Sequence, residues 1–372
     1  MDEEREQSIP KSGLGDRTYR MSQYGHEVSV MKSLSPRQLS FWLSGAPEVE
    51  HGRRVGRTHS RSKQAVRWFM GASLILLLAY SQTLSGQATA PKGKNGPVDD
   101  LFFSPFAVAV DGSGNVYIDD SYNNRVVKET PSGDSYKQSV VVCCELSNSS
   151  GVAVDGSGNV YIADSGNNQV LKETPSGSSY TESVVGSDLW YPYGIAVDGS
   201  GNVYIAETGN SRVVKETLAG GSYTQSVILD TGLSYPTGVA VDGSGNLYVV
   251  DSNHERVLKL TPAGGNYTES VIVDSGLNEP RGAAVDSSGK IYVADTSNNR
   301  VVKVTLSGGN STRSTVDFSF LAPRGVAVDG HGNVYVADTE HRQAVKETPS
   351  DGIYTKSFVG PGTMFPGGQA AD

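Results

Sequence analysis

The chain has 372 residues, 37% of them hydrophobic, and a formal charge of −9, enough for one large core or two domains. Residues 1–67 carry 12 Lys and Arg against 8 Asp and Glu, a net +4, which leaves −13 for the remainder. A body that acidic lacks the clustered basic residues that phosphate binding needs, so nucleic acid is not expected as a partner.

Residues 1–64 show no sustained apolar periodicity and are rich in Ser, Arg, Gly and Glu, so they read as disordered or as an extension foreign to the mature protein. Residues 65–88 contain an uncharged, mostly apolar run, Trp68–Tyr80, with Arg61, Lys63 and Arg67 before it. Thirteen residues are short for a membrane span, which needs about 20. The run suits a signal peptide cleaved near Gly86-Gln87-Ala88, or an uncleaved anchor that attaches the chain to a membrane through residues 68–84. Both readings place everything beyond a short linker, 89–97, outside the cytoplasm: secreted, periplasmic or membrane-anchored.

From residue 98 the sequence repeats. "AVDGSGNVYIDDSYNNRVVKET" at Ala109 recurs with small changes at Ala153, Ala196, Ala240, Ala284 and Ala327. The first aspartates, Asp111, Asp155, Asp198, Asp242, Asp286 and Asp329, stand 43 or 44 residues apart. Each copy divides into four short strands separated by turn residues. In the third copy the predicted strands are 194–197, 202–206, 212–216 and 223–229. Four antiparallel strands per period, six times, predict an all-β, six-bladed β-propeller of four-stranded blades over residues 98–360, with a flexible tail at 361–372. Every copy carries its own four strands, so the ring is expected to close by blade-on-blade packing. A monomeric propeller is expected. Cys143 and Cys144 are adjacent; a bond between them would close almost no loop, and they read as two small apolar residues at a strand end.

The recurring "P-x-G-[VI]-A-V-D…G-N-V-Y-[VI]-A-D-[ST]-x-N-x-R-V-x-K" resembles the NHL repeat. The run "NNRVVK" with "TGL…P.GVAVD" is most similar to the extracellular sensor domain of bacterial transmembrane serine/threonine kinases, although the residues before the apolar run are too few for a kinase domain. The resemblance implies binding of protein, RNA or ligand in most members, with a minority of related six-bladed enzymes.

Six copies in one chain allow an internal comparison. The turn after strand one, "DGSGN", is nearly constant, so its aspartates read as local turn hydrogen-bonders. Asp155, Ser157 and Asn159 imitate the start of an EF-hand loop, but Val160 replaces its glycine and Gly166 its bidentate glutamate. The acidic residues that end strand two, with Arg125, Arg212, Arg256 and Arg300 five residues on, read as loop braces. Asp119 stands where most copies have alanine. It reads as a solvated surface charge, the alternative being a carboxyl whose pKa Asp120 raises.

The opposite face is where the copies differ. The residue before each inner strand is Phe106, Ser150, Tyr193, Thr237, Arg281 or Arg324, a set expected to crowd the mouth of the central channel. Trp190, Tyr191, Tyr235, Phe318 and Phe320 lie in blade connections, and His254, His341 and Arg342 in outer turns. Aromatics and arginine on loops are enriched at binding hot spots, although half of these aromatics are expected to pack between blades. Phe106, Trp190, Tyr191, Tyr193, Tyr235, His254, Arg281, Arg324 and His341 are therefore the candidate ligand-binding residues. Arg281 and Arg324 on adjacent blades suit an acidic or carboxylate-bearing ligand. The leading expectation is an exported, non-catalytic propeller that binds a protein, peptide or glycan. A metal-dependent lyase or hydrolase and a ligand-free envelope module are the alternatives. No catalytic set, metal site or cofactor emerges, because His254, His331 and His341 fall on different faces or outer turns.

Overall fold

The computed structural model describes residues 102–186 and 188–360. The expected extension at 1–64, the signal or anchor at 65–88 with its attachment segment at 68–84, the linker at 89–97 and the tail at 361–372 lie outside the described residues. Among the described residues no helix is long and apolar enough to cross a membrane.

Twenty-four strands form six sheets, each of four antiparallel strands in chain order. Blade 1 runs from Pro105–Val110 through Val116–Asp120 and Arg125–Ser132 to Ser135–Cys143. Blade 6 runs from Pro323–Val328 to Ile353–Val359. In blade 3 the strands are Pro192–Val197, Val203–Glu207, Arg212–Ala219 and Ser222–Leu229, so the predicted inner strand starts two residues earlier and the third ends three later. Both extensions come from pairing that propensity does not encode: Pro192 pairs with Glu207, and Ala219 with Ser222.

The second strand of every blade is buried along its whole length. Side chains alternate across a strand, so a strand covered on both faces shows no polar alternation. Val203 and Ile205 pack with blade 2, beside Tyr161 and Val170, while Tyr204 and Ala206 pack with blade 4, beside Leu247 and Val249. Six such clusters make up the core, one per blade junction. Glycine at the head of the inner strands lets neighbouring backbones approach, and a Cβ added at Gly194 would stand 2.5 Å from the Thr237 carbonyl oxygen.

The "DGSGN" aspartate is a turn organiser. Asp155 Oδ1 accepts from the Ser157 and Asn159 backbone N–H groups at 2.9 and 3.0 Å, and Oδ2 accepts from Asn159 Nδ2 and the Tyr161 hydroxyl at 2.7 and 3.0 Å. Burial alone would push its carboxyl up, but these donors outweigh it and hold the group below its usual range. With both oxygens occupied by the chain's own donors, the turn is used structurally.

Ring closure follows the expectation, since blade 1 and blade 6 each hold four consecutive strands. Phe102, Val108 and Ile118 of the first blade's side pack with Tyr335, Ala344 and Val359 of the last. The Thr339 hydroxyl donates to the Pro105 carbonyl at 2.8 Å across the same junction. Cys143 and Cys144 correct the sequence reading, because they are bonded to each other. The short loop argued only that such a bond stabilises little; it did not forbid the bond where the chain leaves the outer strand with Cys144 at φ 75°.

Candidate functional site

The face that carries the blade connections is built from two repeated devices. The carboxylate ending strand two braces its own connection. Asp295 Oδ1 accepts from the Asn278 backbone at 2.7 Å, while Oδ2 accepts from Asn298 Nδ2 at 3.0 Å and Arg300 Nε at 2.7 Å. The next Ser or Thr stitches blade to blade: Thr208, Thr296 and Thr339 donate to the Pro236, Pro323 and Pro105 carbonyls at 2.6, 2.7 and 2.8 Å.

His254 and His341 belong to the brace. Each puts Nδ1 2.8 Å from the carboxylate of Asp251 or Asp338, where other blades use Asn, and neither lines the channel mouth. The structure thus sets these two expected ligand residues apart from the others, because their carboxylate neighbours hold them in the outer turns.

The six residues that precede the inner strands do converge. Phe106, Ser150, Tyr193, Thr237, Arg281 and Arg324 all line one cavity at the channel mouth, with a volume of about 50 Å³. Two residues upstream the chain takes a left-handed turn in every connection, at Ser104, Asn148, Tyr191, Tyr235, Glu279 and Ala322, with φ between 44° and 84°. Such a backbone is unusual for a bulky residue, and at Tyr191 and Tyr235 it sets the aromatic rim in place. Tyr191, Tyr193, Tyr235, Arg281 and Arg324 share one electrostatic neighbourhood. Burial pushes the Tyr191 and Tyr235 hydroxyls up, and the two arginines pull them back.

The mouth is lopsided. Blade 5 offers Arg281, whose Nη1 donates to the Tyr193 hydroxyl at 3.2 Å, and blade 6 offers Arg324, whose guanidinium lies 4.2 Å from the centre of the Phe106 ring. Ser150 and Thr237 are turned to the scaffold: each hydroxyl reaches carbonyl oxygens of the next blade, including Tyr193 O at 3.2 Å and Arg281 O at 3.0 Å. Outside the mouth Trp190 is 60% exposed over Gly209, and Phe318 is also exposed, whereas Phe320 is buried between blades.

Two features take a form that the sequence reading did not give them. Arg342 stacks on Phe103 at 4.2 Å, and Phe103 in turn meets Tyr122 at 5.7 Å, an exposed cluster at the junction of blades 6 and 1. Asp119 corrects the expectation of a solvated charge: it is fully buried, accepting from the Ser149 and Ser121 hydroxyls at 2.6 and 2.9 Å. The signal was available, since Asp119 replaces the usual alanine and Ser149 replaces the proline that opens the other inner strands.

Four segments, 146–172, 189–215, 233–260 and 277–304, match the NHL repeat, and together with the six sheets they decide the architecture. The chain is a six-bladed NHL-type β-propeller. Solved structures of similar fold include the nidogen/laminin complex, with a TM-score of 0.56 and 20% identity over 64% of this chain and 91% of that one. A streptogramin B lyase has a TM-score of 0.52 and 18% identity, over 70% of this chain and 84% of that one. A catalytically inactive virginiamycin B lyase from Staphylococcus aureus with quinupristin gives 0.51 and 16%, over 70% and 85%. No curated protein matches the chain. At these identities the likeness establishes the shared fold, which hosts both a binding module and lyases, and function has to be argued from this propeller's own residues. Among the described residues no three His, Cys, Asp or Glu side chains are grouped to hold a metal ion.

Proposed function

We propose that this propeller is an exported, non-catalytic binding module, with the channel-mouth face as its recognition surface and a protein as its partner. The observation that carries the reading is the contrast between faces. One face repeats the same self-satisfied turn in each blade, and the other brings Phe106, Ser150, Tyr193, Thr237, Arg281 and Arg324 to a single cavity near Tyr191 and Tyr235, with Trp190 exposed farther out on the same face. Exposed aromatics around a recessed arginine pair are the composition of a binding hot spot. The nidogen/laminin likeness supports a protein partner on this fold, and the apolar run Trp68–Tyr80 with its basic flank supports a place outside the cytoplasm. The kinase-sensor resemblance extends the same reading to a receptor-like role.

The likeness to lyases favours a second reading, a metal-dependent lyase or hydrolase. It would need ligands assembled from several blades. Of the described histidines, His254 and His341 are held in braces and His331 sits in a "DGSGN"-type turn on the opposite face.

One set of measurements separates the two. Labelled full-length protein is applied to peptide and oligosaccharide arrays beside a Trp190→Ala, Tyr235→Ala double variant, and quinupristin consumption is followed with and without added divalent cations. The binding reading expects peptide hits that the double variant loses, and intact quinupristin. Hits that survive the double substitution remove this face from the reading, and metal-dependent consumption of quinupristin replaces it with the lyase.

A further inference from the structure

We infer that the channel mouth is a receptor for one carboxylate, presented on the side chain of an Asp or Glu in a peptide segment of the partner. The inference rests on the recognition face proposed above and names the chemistry at its centre.

Arg281 and Arg324 sit on neighbouring blades in an acidic body, and both point at one cavity. Arg281 has only the exposed Glu279 as a carboxylate neighbour, 4.0 Å away, and Arg324 has none within ion-pair distance among the described residues. The Nε–H of each guanidinium is covered by protein yet has no hydrogen-bond partner. A buried donor left unpaired is costly, and the brace arginines of this face each give their Nε–H to a carboxylate: Arg125, Arg212, Arg256 and Arg300 pair with Asp120, Glu207, Asp251 and Asp295. The two mouth arginines stand at a different point of the repeat, and their Nε–H groups lack any such acceptor. Rotation about the terminal side-chain bonds offers Nε–H and one Nη–H of either guanidinium to a single carboxylate, the bidentate geometry at which arginine excels. The Tyr193 hydroxyl, which accepts from Arg281, keeps its own proton to donate to the same oxygen pair.

Reach favours one carrier of the carboxylate. The cavity leaves about 50 Å³ for the centres of water-sized groups, which admits a carboxylate together with a few waters. A uronic acid carries its carboxylate directly on the sugar ring, so the ring itself would have to enter. Asp and Glu carry theirs on a flexible stem of one or two methylenes, which reaches inward while the peptide backbone stays on the rim beside Tyr191 and Tyr235.

The test reads the unpaired atoms themselves. In full-length, nitrogen-labelled protein the Nε–H resonances of Arg281 and Arg324, assigned from Arg281→Lys and Arg324→Lys variants, are followed during titration with propionate, glucuronate or chloride at matched ionic strength. Propionate is expected to shift both resonances saturably, while glucuronate and chloride leave them in place. Arg324→Gln is expected to weaken propionate by about tenfold or more. The absence of a saturable propionate shift overturns the receptor, an equal chloride shift reduces it to a general anion site, and an equal glucuronate shift overturns the side-chain assignment. Failure here with array hits still lost in the Trp190, Tyr235 variant leaves the recognition face standing without its carboxylate. Success here with hits retained leaves the carboxylate site and removes the face from partner binding.

Discussion

Asp119 shows what a single departure from a repeat can do. Its carboxyl is pushed up to about 7, chiefly by burial, with Asp120 and Asp164 adding to the rise and the Ser149 and Ser121 hydroxyls opposing it. Near pH 4 and below, the folded and unfolded chains both hold this proton, so pH has no effect through this group. Between there and about pH 7 the unfolded chain has lost the proton that the folded chain keeps, so stability falls as pH rises, by up to about 1.4 kcal/mol per unit. Asp119→Asn keeps hydrogen-bonding capacity without the titration. Its melting temperature is expected to gain on that of the parent from pH 5 to about 7 and to level off above, as followed by circular dichroism. Parallel pH profiles would show that Asp119 titrates normally. The sequence made Asp119 conspicuous but misplaced it, because strand two alternates between two neighbouring blades rather than between core and water. The bracing contacts of His254 and His341 were hidden for a related reason. A histidine standing in for a bracing asparagine is visible only once the carboxylate 2.8 Å away is known.

Within a blade the elements are decided locally. The constant aspartate and glycine of "DGSGN" specify the first hairpin, and the acidic residue at the end of strand two ties down the connection that leads into the blade. Between blades the decisive contact is the Ser or Thr that follows, whose hydroxyl reaches a neighbour's carbonyl. Thr339→Val removes the donor at the junction that closes the ring and strips a buried bond from the Pro105 carbonyl. It is expected to cost about 1–3 kcal/mol in urea unfolding with little change in the slope. Thr296→Val, at an ordinary junction, should cost as much, since its bond to Pro323 is built the same way. A much larger loss at Thr339 would mean that closure depends on a special clasp.

For the whole molecule, closure by packing has a topological consequence. No blade is shared between the chain's two ends, and Phe102 and Gly360 lie side by side, so a Cβ placed on Gly360 would touch the Phe102 ring at 3.2 Å. A permutant that joins residue 360 to residue 102 and opens the exposed connection after Asp230 is expected to fold with a melting temperature within about 4 °C of the parent, the shift of roughly 1 kcal/mol in a domain this size. Failure of this permutant to fold would place the nucleus of the ring at the junction of blades 3 and 4. The blade count, the strand order, the two loop faces and the residues of the mouth could all be read from the repeat, because identical local patterns impose identical hairpins and a constant period puts equivalent residues at equivalent radii. Which of those residues are satisfied by the scaffold and which remain unpaired was decided only by the tertiary structure. Ser150 and Thr237 occupy the same sequence position as Arg281 and Arg324, yet their short hydroxyls end on backbone carbonyls while the longer guanidiniums reach the cavity with their Nε–H groups unpaired. Repetition determines where a side chain starts, and its length together with the neighbouring blade determines what it meets.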